Sequence, residues 1–125
     1  MSLSDEQFDF LKDVCLLIQY CVGLGFKVTG GELWRPLEMQ KIYVESGRSK
    51  TMDSQHLKKL AIDLNFFKGK TYINALESQD AYEYLNPIGE YWESLNIKNR
   101  WGGNFDKDWE RKDPWVDLPH FERTN

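Results

Sequence analysis

Two histidines and one aspartate stand out as residues that could do chemistry together. The chain of 125 residues has only two histidines, and each sits in a suggestive setting. His56 lies seven residues before Asp63 in the run Ser54-Gln55-His56-Leu57-Lys58-Lys59-Leu60-Ala61-Ile62-Asp63. His120 follows Asp117-Leu118-Pro119 and precedes Phe121-Glu122. Two neutral imidazoles and a carboxylate are the donor set of a catalytic zinc site, which keeps a fourth position open. Asp63 also interrupts an otherwise apolar stretch, Ala61 to Phe67. A carboxylate buried there needs a partner, because an unpaired buried charge is costly. A metal would serve, and so would an arginine or a backbone donor. No helical His-Glu-x-x-His is present to decide the matter.

The elements that must position these residues follow from periodicity and punctuation. Ser4 reads as an N-cap with Gln7 as its capping-box partner, and Leu3 with Phe8 as a hydrophobic staple. Phe8, Leu11, Cys15, Ile18 and Val22 then recur on one face of a first helix, which Gly23 and Gly25 end. Phe26 to Thr29 reads as a short strand, followed by Gly30-Gly31 and a second short segment, Glu32 to Trp34. Pro36 suits the first position of a second helix running to about Gly47, and residues 48–55 read as a loop. Leu60 to Phe66 alternates as a strand, with Ala61, Asp63 and Asn65 on one face. A turn at Lys68-Gly69-Lys70 makes a hairpin with Thr71 to Ile73. Asn86-Pro87 opens a third helix with Ile88, Trp92 and Leu95 on one face. From Asn96 on, the chain reads as loop with one strand near His120 to Glu122. This order predicts an α+β fold in a single domain, 1–125, a small antiparallel sheet flanked by about three helices.

Composition narrows the classes. Hydrophobic residues at 41% suffice for one core, and no apolar run reaches the ~20 residues of a membrane span. A net charge of −4 argues against nucleic acid, whose phosphates require a basic surface. Cys15 and Cys21 both read as buried free thiols, not as a zinc ribbon or a disulfide. The first residues lack the basic start and apolar centre of a secretory signal, so synthesis in the host cytoplasm and later release to the wall are expected. Trp101, Trp109 and Trp115 cluster near the second histidine and either line a groove or pack into the core.

The two motifs together resemble the zinc D-Ala-D-Ala carboxypeptidases and dipeptidases, and their phage endolysin relatives that cut the L-alanyl-D-glutamate bond. The first half of the pattern is Ser54, His56, Ala61 and Asp63. The second is Asp117, His120, Phe121 and Glu122, preceded by Trp101-Gly102-Gly103-Asn104-Phe105. Gly47 to Thr51 is similar to the phage branch, and the likeness covers roughly residues 31–123. It implies a hedgehog- or DD-peptidase-like fold and Zn2+ held by His56, Asp63 and His120. Asp117 would be the general base, in an apolar wall of Trp115, Val116 and Leu118. Arg35 would polarise the substrate carbonyl, although a surface ion pair is its plainer role. Ser54 would contact substrate or hold the turn. The implied substrate is the stem peptide of peptidoglycan, cut by a monomer. A D-Ala-D-Ala carboxypeptidase or dipeptidase, or a non-enzymatic zinc-containing wall-binding domain, are the other functions such a site allows. One departure is Lys59, where the family has Gly three residues after the first histidine. A side chain there implies a different local backbone or an altered cleft wall.

Overall fold

The structure is a computed structural model that describes residues 2–48, 54–104 and 117–124. The first helix, α1 (Leu3–Gly23), is capped by Ser2 and not by Ser4. The Ser2 hydroxyl accepts from the Asp5 N–H at 3.2 Å, and Asp5 Oδ2 accepts from the Ser2 N–H at 3.3 Å. This is the expected capping box two residues earlier, with Asp5 adding an acidic group at the positive helix end. Gln7 is instead drawn across the molecule, donating to the Lys58 carbonyl at 2.8 Å.

The buried stripe of α1 also differs from the predicted one. Phe10, Val14, Leu17 and Cys21 face the core, while Phe8, Leu11 and Val22 are exposed, Ile18 is half-buried and Cys15 is exposed. Both stripes have helical spacing, so period alone cannot choose between them. Tertiary partners choose. Phe10 meets Trp92 edge-to-face at 5.6 Å. Asp9 and Asp13, which flank the buried stripe, bind the buried guanidinium of Arg123.

Among the described residues, five strands form one antiparallel sheet: β1 (Lys27–Gly30), β2 (Ala61–Lys68), β3 (Thr71–Tyr72), β4 (Asn99–Trp101) and β5 (His120–Arg123). The order is β1-β2-β5-β4, with β3 closing the expected hairpin on β2. Glu32 to Trp34 forms no strand, yet the chain beside β1 still pairs. The Gly31 N–H donates to the Asp63 carbonyl and the Asp63 N–H to the Glu32 carbonyl. The strand β4, read from sequence as loop, is three residues long, too short for alternation to announce it.

The helix α2 (Leu37–Glu45) follows Pro36, which is its N-cap. A further helix, α3 (Ser78–Leu95), begins eight residues before the predicted start and contains Pro87 within it. Pro87 has no N–H for the Glu83 carbonyl, a loss worth roughly 3 kcal/mol in a helix interior. Both residues are on the exposed side, where water can serve that carbonyl. The opposite side buries Ala81, Tyr82, Leu85, Ile88, Gly89 and Trp92. At ~1.5–3 kcal/mol for each large apolar side chain, that burial outweighs the proline.

One face of the sheet therefore carries Leu64, Phe66, Phe121 and Trp101 against α1 and α3. Trp101 approaches α3 so closely that a Cβ on Gly89 would lie 2.2 Å from its indole. Because side chains alternate along a strand, the other face carries Ala61 and Asp63 of β2, His120 and Glu122 of β5, and Arg100 of β4. That second face holds the site. No helix among the described residues is long and apolar enough to cross a membrane.

Candidate metal centre and active site

His56 stands on a tight 3-10 turn, Gln55–Lys58. Ser54 caps this turn, its hydroxyl accepting from the His56 N–H at 3.2 Å, so Ser54 holds the turn that presents the imidazole. Lys59 closes the turn in the left-handed conformation, φ 57° and ψ 36°. A glycine adopts that backbone without cost. The departure from the family pattern therefore leaves the turn in the backbone a glycine would take, with the lysine exposed. The Nδ1 of His56 lies 3.0 Å from the Leu33 carbonyl. A carbonyl can only accept, so Nδ1 carries the proton and Nε2 is left with a free lone pair.

That Nε2 is the observation that tests a metal. It is buried and makes no hydrogen bond, although the carboxylate of Asp63 lies 3.4 Å away. An unsatisfied buried acceptor is costly unless something fills the gap. His120 brings its Nδ1 to 3.3 Å from the same oxygen, Asp63 Oδ1. The ligand atoms of His56, Asp63 and His120 all lie within 4.8 Å of one another. The pairing register explains this, since Asp63 is directly opposite His120 across β2 and β5. Two imidazole nitrogens and a carboxylate converging on one point form a donor set that fits zinc.

Without a metal, the charged groups of the cluster hold one another. Burial by itself would raise the Asp63 carboxyl, but His120 and His56 outweigh it and hold it well below the usual carboxylate range. Burial alone would lower His120. Its bonds to Asp63 and Glu122, with the charges of Glu122 and Asp117, instead raise it to about 9. In Glu122, burial is likewise overcome by His120 and Arg100, which lower the carboxyl.

Asp117 lies beside this cluster. Its carboxyl is raised, first by burial and then by the charge of Asp63, against the opposing pull of His120, His56 and Arg35. Its backbone is fixed by Gly102, whose carbonyl accepts from the Asp117 N–H at 2.8 Å. A Cβ on Gly102 would fall 1.9 Å from the Asp117 carbonyl oxygen, so only glycine allows this approach. Leu118 is buried beside it, while Trp115, Val116, Trp109, Phe105 and residues 49–53 lie outside the described residues.

Arg35 is 8% exposed, which is not a surface ion pair. Its N–H bonds the His56 carbonyl, its Nε donates to Glu32 at 2.5 Å, and its Nη1 donates to Gln40 at 2.5 Å. Tyr43 lies under the guanidinium at 4.6 Å and donates its hydroxyl to Glu32 at 3.3 Å. Sequence reasoning missed Glu32, Gln40 and Tyr43 as the frame of Arg35, because no local period links residues of a loop and a helix. It also gave Glu122 no role. The signal was present, since residues two apart on a strand share a face and His120 has Glu122 at that spacing.

The sequence profile of the M15 peptidases described as D-alanyl-D-alanine carboxypeptidase matches residues 47–123, which include His56, Asp63, Asp117, His120 and Glu122. The chain belongs to this family. This M15 peptidase is therefore a hydrolase of a family that acts on peptidoglycan. Its fold is also similar to a solved structure, the L-Ala D-Glu endopeptidase ChiX of Serratia marcescens, with a TM-score of 0.66. The likeness covers 93% of this M15 peptidase and 78% of ChiX at 22% sequence identity, and at that identity it is a likeness of fold. A comparison with curated proteins gives no match.

Proposed function

We propose that this M15 peptidase is a zinc-dependent endopeptidase that cuts the L-Ala–D-Glu bond of the peptidoglycan stem peptide. The observation that carries the zinc reading is the buried, unbonded Nε2 of His56, set within 4.8 Å of donor atoms from Asp63 and His120. The endopeptidase reading is supported by the fold shared with ChiX over nearly the whole chain. The sequence Gly47 to Thr51 ahead of the first motif, similar to the phage branch, supports a phage endolysin origin.

In this reading His56 would offer Nε2, His120 Nδ1 and Asp63 Oδ1 to the metal. When bound, zinc would supply Lewis acidity and a water acidified to a pKa of about 7. Asp117 takes the proton of the attacking water and returns it to the leaving amine. Burial suits it to this task, since a raised carboxyl is a better proton acceptor than an ordinary aspartate. Arg35 donates to the scissile carbonyl oxygen and stabilises the charge that develops there. Glu32 and Gln40 occupy only part of its five donors and hold the guanidinium plane still.

A second reading, a D-Ala-D-Ala carboxypeptidase, is favoured by the description of the matching family. Digestion of peptidoglycan fragments by zinc-loaded protein, with a chelated control and mass spectrometry of the new ends, separates the two. A chelator-sensitive D-Glu amino terminus supports the endopeptidase. Released D-Ala supports the carboxypeptidase. No cleavage, with one zinc bound per chain, would replace both with a wall-binding domain.

A further inference from the structure

The two imidazoles at the centre are held in different ways. His56 donates its outer N–H to a neutral acceptor, the Leu33 carbonyl. His120 turns its outer nitrogen, Nε2, to a carboxylate oxygen, Glu122 Oε1, at 2.7 Å. The second oxygen of Glu122 is occupied separately, by Arg100 Nε at 3.2 Å and Nη2 at 3.0 Å. Strand geometry produces this relay. His120 and Glu122 are two apart on β5, and Arg100 on β4 is the direct cross-strand partner of Glu122. Opposite Glu122 on β2 stands Ala61, whose small side chain leaves the carboxylate room. Glu122 is itself 5% exposed, so its charge is buried and needs both partners.

We propose that Glu122, anchored by Arg100, is a positioning residue that makes His120 an Nδ1 ligand and the stronger of the two imidazole donors. The inference rests on reading His56, Asp63 and His120 as the metal ligands. Held by the Glu122 carboxylate at 2.7 Å, Nε2 keeps its proton, so Nδ1, facing Asp63, is the nitrogen that would release its proton and turn its lone pair to a metal. A carboxylate behind a ligating imidazole also raises its basicity, which a backbone carbonyl does much less. Arg100 keeps Oε2 engaged, so that Oε1 stays aimed at His120. The sheet thus sets the ligating nitrogen of His120 from a residue that never reaches the metal.

The test is a chelator-competition titration of zinc on the full chain, comparing wild type with E122A, E122Q and R100M. E122A removes the acceptor and is expected to weaken zinc binding by ~10–100-fold. E122Q keeps an acceptor of the same shape without the charge and should fall between E122A and wild type. R100M should weaken binding less than E122A. Circular dichroism of the chelated forms checks folding, and E122Q decides the matter if E122A does not fold. Two further readouts respond to ligand geometry and not to stability alone. The visible bands of the cobalt-loaded protein should shift in E122Q, and nitrogen-resolved imidazole spectra of the zinc form should show His120 protonated at Nε2 in wild type. Zinc affinity and cobalt bands equal to wild type in folded variants, with only the melting temperature lowered, would overturn the positioning role. A wild-type chain that binds no zinc would overturn the metal reading itself.

Discussion

His56 and His120 stand with ring centroids 5.0 Å apart and present different nitrogens, Nε2 and Nδ1, to the same oxygen of Asp63. Neither ring can substitute for the other, because each is fixed by its own outer hydrogen bond. His56→Ala and His120→Ala are each expected to reduce bound zinc from one per chain to near none and to abolish hydrolysis. Metal analysis after dialysis checks this, and a variant that kept both zinc and activity would remove that histidine from the ligand set.

In the proposed mechanism, Asp117 separates proton transfer from metal binding. Asp117→Asn should lower kcat by about 10²–10⁴-fold, the usual contribution of a general base, while zinc content stays at wild-type level. Burial raises the Asp117 carboxyl, and only its ionised form can accept a proton. Activity should therefore fall, as the medium is acidified, at a pH above the ordinary aspartate value of about 3.9. A pH profile of kcat/KM reads this limb. Loss of zinc from the variant would assign Asp117 to the metal instead.

The metal-free protein should lose stability as the pH rises. The folded His120 titrates at about 9, above its reference value of 6.5. Its contribution is complete below pH 6.5 and is lost as the pH climbs through 9. Urea unfolding of the chelated protein should show this decline, and His120→Asn should flatten it. Zinc affinity should rise over the same window, because a ligating His120 must first give up its extra proton. Flat stability of the chelated wild type from pH 6.5 to 9 would contradict the assignment.

Two backbone substitutions should have opposite signs. Lys59 holds φ 57°, and a left-handed residue with a Cβ costs roughly 1 kcal/mol. Lys59→Gly should raise the unfolding free energy by up to about 1 kcal/mol and leave zinc affinity unchanged. Gly102→Ala forces a Cβ into the Asp117 carbonyl oxygen and should cost about 1–3 kcal/mol. It should also lower kcat in the fraction that stays folded, since Asp117 must move. Denaturant titration with single-point rates measures both.

The buried Arg123 marks the limit of what was legible along the chain. It binds Asp9 at 2.6 Å, Asn99 at 2.9 Å and also Asp13, joining α1 to β4 and β5 across more than a hundred residues. Nothing local announces such a pairing, and it helps to select which stripe of α1 is buried. Pro87 misled for a similar reason. Its local preference is to begin a helix, and burial of the far side of α3 overrode that preference.

The chain's own order determined the α+β class, the β2–β3 hairpin and the three candidate ligands, because these depend on residue chemistry and short spacings. The seven-residue step from His56 to Asp63 and the short step from Asp117 to His120 belong to this level. The tertiary structure alone decided which nitrogen each histidine turns inward, which face of α1 meets the core, and that Glu122 and Arg100 stand behind His120. The physical reason is that a side chain's orientation is settled by its partners. Leu33, Glu122, Arg100 and Gly102 reach the site only when the strands pair and the loops close.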